Sequence, residues 1–456
     1  MSGSIVRSVL AIAAIGLAVP MGAQEEPLRA ALVNRIEIGR AGTAAVIGRL
    51  EPDGRREFLV HGRVRADGPA PTGDTLFEIG SITKVFTALL LADMVERGEV
   101  TFDTPVGQLL PGVTVPVRNG RAITLADLTT HTSGLPRLPS NLDGGSLENP
   151  YAGYRAADPY AFLAGFQLPR DPGAQWEYSN LGGGLLGHAL ATKAGASYET
   201  VLRRRVLEPL GLTDTAITLS PTQRLRMATA HDAQLQPVEW WDFEALAGAG
   251  AIRSTAADML TFAAAATGGD TPLKAAFARM RTLRRPTGQP GMQQLAGWLA
   301  VPAGDAELLA HDGGTHGFRS ALMIDVATRR AAVAWINGPQ DVNDLAGHAV
   351  DRRIPLRTLS PPRTAIVLEA GMLDAYVGAY PLAPAFVLTV TREGAHLFVQ
   401  ATGQSRFELL AETRDAFFLK EVDAQLTFTR DAAGSVTGLV LHQNGASRPA
   451  PKRRVP

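Results

Sequence analysis

The 456 residues contain no cysteine. That excludes disulfides, thiolate chemistry, cysteine-zinc sites and a lipidated N-terminal cysteine. Net charge is missing too: 44 basic side chains balance 44 acidic ones. Such a chain has no electrostatic footprint for nucleic acid or an anionic membrane surface. Lysine is scarce, with only Lys84, Lys193, Lys274, Lys420 and Lys452, and arginine carries the rest of the positive charge. No apolar run is long enough for a membrane span. The nearest is Val9 to Ala23, which is short, interrupted by Pro20, preceded by Arg7 and closed by Met21-Gly22-Ala23. It reads as a secretory signal peptide over 1–23, so the mature protein is expected to be soluble, exported and without a stable membrane anchor. What remains is 45% hydrophobic and 19% charged. This suits a globular chain with a sizeable core and two domains, large enough to be exported without disulfides.

One of the few lysines stands in Gly80-Ser81-Ile82-Thr83-Lys84, which opens the apolar run Val85 to Val95 and ends near Gly98. The pattern predicts a buried helix with Ser81 at or beside its N-cap and Gly98 as its stop. A spacing of three puts Ser81 and Lys84 on one helical face. Two readings follow. Ser81 is a cap and Lys84 a snorkelling side chain, or a desolvated amine with a lowered pKa sits beside a hydroxyl as its base.

Elsewhere, Thr43–Gly48 and Glu57–Gly62 flank the turn Glu51-Pro52-Asp53-Gly54 and predict a hairpin, with His61 structural. Thr124 to Asp127 and Thr255 to Asp258 have capping-box spacing. Ser133, beside His131 and Gly134, reads as a turn residue. Residues 137–180 form a long irregular segment ending in Tyr178-Ser179-Asn180, before the small-residue helix from Gly182. Helices are expected over Tyr198–Leu207, Thr255–Ala266 and Asp341–Arg352. Strands are expected at Glu307–Asp312, Phe318–Asp325 and Ala331–Ile336, with Gly313-Gly314-Thr315-His316-Gly317 between the first two. This predicts an α/β (α+β) fold: an antiparallel sheet flanked by helices, with an all-helical insertion between its strands. Beyond a boundary near Arg357–Arg363, short strands from Phe386 to His442 predict a C-terminal all-β meander or barrel over 357–456. That part has no acid/base cluster and reads as a structural, regulatory or ligand-binding module.

Ser81-x-x-Lys84, Tyr178-x-Asn180 and His311-x-Gly313, in this order, resemble the serine β-lactamase and penicillin-binding protein superfamily. The closest likeness is to the branch of class C β-lactamases, D-Ala-D-Ala peptidases, D-aminopeptidases and related esterases. Leu128–Pro136 and Gly314–Phe318 resemble it as well, and the likeness covers about residues 30–352 of an expected domain 24–356. The C-terminal part resembles a lipocalin-like domain. The resemblance implies a β-lactamase/transpeptidase-like fold, with Ser81 as acylated nucleophile, Lys84 as its base and Tyr178 as proton shuttle. It implies that Asn180, His311 and Gly313 bind substrate, and that the N–H groups of Ser81 and Gly314 form an oxyanion hole. No metal or organic cofactor is required, and the partner is a small-molecule or peptide substrate. Two positions depart from the family pattern. His311 stands where lysine is common. Asp312 takes the place of the usual threonine, where a carboxylate repels the substrate's own unless it points away. Arg319 is a candidate replacement for the missing positive charge, and His316 reads as a turn residue. Hydrolysis of β-lactams or peptides, a carboxylesterase on the same scaffold, and an acylated sensor without turnover all remain as readings.

Overall fold

A computed structural model describes residues 26–142, 149–359, 361, 363–383, 386–402, 406–419, 424–443 and 446–453. The signal-peptide reading lies outside these residues. The chain forms two compact units, one up to residue 360 and one from residue 361. No helix among the described residues is long and apolar enough to cross a membrane.

The first unit is built on an eight-stranded antiparallel sheet. Its strand order is Arg56–Gly62, Ala44–Leu50, Arg330–Ile336, Arg319–Asp325, Ala306–Gly314, Leu299–Ala303, Gln293–Leu295 and Arg284–Pro286. Alternate residues of a strand face opposite sides, and Ala44–Leu50 is buried on both. Ala45 and Ile47 pack under the helices Glu26–Val33 and Asn343–Val350. Val46 and Leu50 face the main core with Phe77, Val333 and Trp335. The three short strands between 284 and 303 were not expected. Pro286 and Pro302 interrupt their alternation, and proline is tolerated only near such sheet margins.

The helix Thr83–Glu96 is buried from Thr83 to Met94, as a run apolar on every face must be. Phe86 stacks on Phe262 of the helix Ala256–Ala266 at 4.3 Å, a contact type that adds about 1 kcal/mol to simple burial. Ser81 stands beside the N-cap residue Ile82, as expected, but its side chain is not the cap. Gly80–Ile82 is a 3₁₀ turn, no side chain caps the helix, and the Thr83 N–H goes to the backbone carbonyls of Gly80 and Ser81. The Ser81 hydroxyl is thereby left for other work. The capping box Thr124/Asp127 forms in full. At Thr255 only the hydroxyl half forms, because Asp258 instead accepts from the Asp214 N–H and the Thr215 hydroxyl. Among the described residues of the irregular segment, before the helix that starts at Asn180, there is one helix, Ala157–Gly165.

The second unit is a nearly closed barrel of eight consecutive antiparallel strands, from Gly378–Ala383 to Ala446–Pro451. A backbone bond from Arg453 to Ala379 joins its two ends. The first and last strands were not expected, since Pro381, Pro449 and Pro451 disguise them. Tyr376, Tyr380, Phe417 and Phe428 are buried in its core, packed ring against ring.

Candidate active site

The 3₁₀ turn at Gly80–Ile82 lies against the end of the strand Ala306–Gly314. Gly80 has φ +50°, and a methyl added there would come 2.7 Å from the Gly314 nitrogen. At Gly313 an added methyl would be 2.0 Å from the Ile79 carbonyl oxygen, which also accepts from the Ser320 hydroxyl at 2.9 Å. Only glycine allows both approaches. They bring the Gly314 backbone beside the residue preceding Ser81, which is itself half-buried and reachable.

Lys84 is buried, and its Nζ lies 3.1 Å from Ser81 Oγ, 2.9 Å from Asn180 Oδ1 and 2.7 Å from the Ala249 carbonyl oxygen. Its aliphatic stem fits because the facing residue is Gly183; a methyl there would meet Lys84 Cε at 2.9 Å. This accounts for Gly183, while its neighbour Gly184 leaves room for Leu246, which a methyl would meet at 2.5 Å. Burial, reinforced by the positive charge of Arg137 and opposed by Asp312, holds the amine well below the ordinary lysine range. A neutral amine has two N–H donors and one lone pair. The carbonyls of Asn180 and Ala249 take both donors, which leaves the lone pair facing Ser81.

Tyr178 also reaches the Ser81 side chain, and burial raises its phenol above the ordinary tyrosine value. Its ring has Lys84 Nζ at 4.9 Å and the Arg137 guanidinium carbon at 5.0 Å from its centroid. The His131 ring lies against it at 4.4 Å. His131 is buried with φ +57°. Its Nδ1 accepts from the Ser179 N–H at 3.2 Å, so this nitrogen carries no proton, and burial keeps the ring neutral. Ser179 caps the following helix through a bond from the Gly182 N–H at 2.8 Å and donates to the Pro136 carbonyl at 2.6 Å. Asn180 begins that helix, with its amide nitrogen donating to Tyr151 Oη at 3.0 Å. Tyr151 stacks on Phe243 and packs edge-on against Trp241.

On the strand side His311 is buried, and its Nδ1 donates to the Asp312 carbonyl at 2.7 Å. Desolvation pushes the ring toward its neutral form. Asp312 is exposed, and its charge bears on Lys84, Tyr178, His311 and Arg319. Arg319 packs against Gly314 and donates to the carbonyls of Thr315 at 2.6 Å and Phe318 at 2.9 Å, so its guanidinium braces the turn. His61 pairs with Glu37 outside the site, and the Ser133 hydroxyl accepts from the Leu135 N–H.

The structure therefore brings Ser81, Lys84, Tyr178 and Asn180 into one cluster, with His311, Gly313 and Gly314 along its sheet wall. Sequence reasoning passed over His131, Arg137, Tyr151, Ser179 and the Ala249 carbonyl. His131 lay within a quoted motif, but its left-handed backbone and ring contact leave no trace in composition.

Residues 37–354 match the Beta-lactamase family. The chain belongs to that family. Its members include D-alanyl-D-alanine-carboxypeptidase/endopeptidase AmpH of Escherichia coli (strain K12), 30% identical over 334 residues, 67% of this chain and 84% of the relative. Penicillin-binding protein 4* of Bacillus subtilis (strain 168) is 25% identical over 411 residues, 83% of this chain and 87% of that one. Two solved structures share the fold. A β-lactamase/D-alanine carboxypeptidase from Pseudomonas syringae has a TM-score of 0.62 at 20% identity, covering 73% of this chain and 99% of its own. A class C β-lactamase from Rhodobacter sphaeroides has a TM-score of 0.60 at 24% identity, covering 73% and 97%. The first unit thus has the family's β-lactamase/transpeptidase-like fold, and the chain is a serine hydrolase. Residues 363–453 match a domain of unknown function (DUF3471), which does not carry the lipocalin-like expectation further.

Proposed function

We propose that Ser81 is the acylated nucleophile of an exported hydrolase that cleaves amide bonds of β-lactams or of D-amino-acid or peptidoglycan-type peptides. The observation that carries this reading is the buried Lys84 amine, with its lone pair left toward Ser81 by two carbonyl partners. Ser81 Oγ attacks the substrate carbonyl while its proton passes to Lys84 Nζ. The backbone N–H groups of Ser81 and Gly314 receive the developing oxyanion. Tyr178, kept a neutral phenol by burial, gives its proton to the leaving nitrogen and recovers one from Lys84. Water then attacks the ester, its proton returning along the same path, and Ser81 is released. Asn180 donates its second amide N–H to the acyl side of the substrate. His131 and Ser179 position Tyr178 and the helix that carries Asn180.

One observation favours the carboxylesterase reading. Burial pushes His311 toward its neutral form, Asp312 is acidic, and Arg319 is engaged with the Thr315 and Phe318 carbonyls, so this wall attracts a substrate carboxylate weakly. Parallel assays of a chromogenic cephalosporin, a D-amino-acid peptide and a nitrophenyl ester separate the two, and turnover of the ester alone would overturn the amidase reading. Stable acylation without turnover would make the protein a sensor. For the nucleophile itself, a fluorophosphonate or fluorescent penicillin is expected to label the protein covalently and Ser81→Ala to abolish labelling. Undiminished labelling of Ser81→Ala would remove Ser81 from the role. The segment 1–23 supports export, and a mature chain beginning at Gln24 is the mass that checks it.

A further inference from the structure

Two charged side chains beside this site, Arg137 and Asp312, have no ion pair of their own among the described residues. Arg137 is exposed, 5.0 Å from the Tyr178 ring centroid. Its backbone carbonyl is pinned by the N–H groups of Asn180 at 2.9 Å and Leu181 at 3.3 Å. Asp312 is exposed on the sheet wall, with its backbone carbonyl held by His311. Among the described residues, neither side chain has an ion-pair partner or a hydrogen bond. Both act on Lys84 and Tyr178, with opposite sign. Elsewhere in the unit, arginines near carboxylates pair with them, as Arg205 does with Asp93 and Glu99. Two exposed opposite charges left unpaired beside one site cost little in water, and they present a dipole to whatever reaches Ser81.

We propose that this dipole selects the substrate by charge polarity: an anionic group on the acyl side, toward Arg137, and a cationic group on the leaving side, toward Asp312. The assignment of sides rests on the role given above to Asn180, whose backbone N–H is bound to Arg137. A guanidinium suits a carboxylate or phosphate, and Asp312 suits an ammonium, such as a lysine-like side chain or free amine in the leaving portion. A leaving portion that ends in a carboxylate is disfavoured by the same charge.

The test uses the mature wild-type protein and esters of one scaffold bearing neutral, anionic or cationic groups on either side of the scissile carbonyl. The anionic-acyl, cationic-leaving ester should exceed the neutral parent in kcat/KM by about tenfold at low salt, and the reversed zwitterion should fall below it by a similar factor. Salt near 1 M should collapse the difference. The double variant Arg137→Glu with Asp312→Lys should invert the order, and Arg137→Gln or Asp312→Asn alone should each cut the preference about threefold. Equal turnover of the two zwitterions by the wild type overturns the proposal while leaving the hydrolase reading intact, since the neutral parent still reports on Ser81. If no ester is turned over, the carboxylesterase reading fails and the amide substrates above decide the hydrolase reading. Protection of Ser81 from fluorophosphonate by the corresponding amides then tests polarity alone, with the same order expected and equal protection overturning it.

Discussion

Tyr178 in the first unit and Tyr376 in the second are assembled from the same parts. Each sits where burial raises its phenol, and each has a guanidinium over its ring, Arg137 at 5.0 Å and Arg430 at 5.3 Å. Their surroundings close differently. Arg430 donates to Tyr376 Oη at 2.9 Å and to Asp415 at 2.8 Å, while the Tyr376 hydroxyl donates to the Arg414 carbonyl. Every group in that set has a partner, and the charge is neutralised within it. Around Tyr178 neither the Lys84 amine nor the Arg137 guanidinium has a carboxylate bonded to it, and the hydroxyl touches a serine that solvent can reach. A buried tyrosine beside a cation is therefore not a sign of chemistry by itself. The sign is a proton-bearing group whose neighbours are left short of counter-charge.

The most severe way to break the contrast is Lys84→Met, which keeps the buried volume and removes the lone pair. Acylation by fluorophosphonate should slow by about a thousandfold, with the melting temperature slightly lowered, because the Asn180 and Ala249 carbonyls lose their donor. Acylation at the wild-type rate would mean that Ser81 has another base. Next is Tyr178→Phe, expected to lower kcat by about a hundredfold, with stability altered by less than about 1 kcal/mol.

A third variant probes a cation that does have its partner. Glu78, under the site, accepts from Arg253 Nη2 at 3.2 Å and the Trp241 N–H at 2.9 Å. Burial, only partly opposed by Arg253, pushes its carboxyl from an ordinary 4.5 up to about 7. A raised carboxyl binds its proton more tightly in the folded chain. Its contribution is full below the unfolded value and is lost as pH rises through about 7. Wild-type stability should therefore fall between pH 5 and 6.5 by about 2 kcal/mol more than that of Glu78→Gln, measured by denaturant unfolding. Parallel curves would sink the assignment. The mildest effect is expected from Tyr376→Phe: about 1 kcal/mol of stability lost from the barrel and activity within about twofold of wild type. A loss of activity like that of Tyr178→Phe would erase the comparison.

Much of this site is legible in the residues. Scarce lysine, the spacing of three in Ser81 to Lys84, and Tyr178 two before Asn180 mark the cluster, because local spacing survives folding. What was hidden depends on distance in sequence or on backbone shape. The Ala249 carbonyl has no side-chain signature, and His131 acts through a positive φ. Arg137 reads as one arginine among many until Tyr178 is placed under it. Asp312 was noticed, but its direction could not be read from a strand whose two faces are both used. In the fold, regular alternation marked the central strands, while proline concealed the marginal ones at 284–303 and at both ends of the barrel.

The sheet order also has a temporal side. Ala45 pairs with Ile336, so the second strand of the sheet finds its inner neighbour only after almost 300 further residues exist. At ribosomal speeds of about 5–20 residues per second, that wait is roughly 15–60 s. Ser81 and Lys84 emerge early, but the wall carrying His311 and Gly314 arrives late, and Gly80 has nothing to pack on until then. A nascent chain stalled before residue 311 should therefore hold a finished helix and no working nucleophile. In that interval the apolar run at 85–95 depends on the helical layer, or on a chaperone, to stay out of trouble.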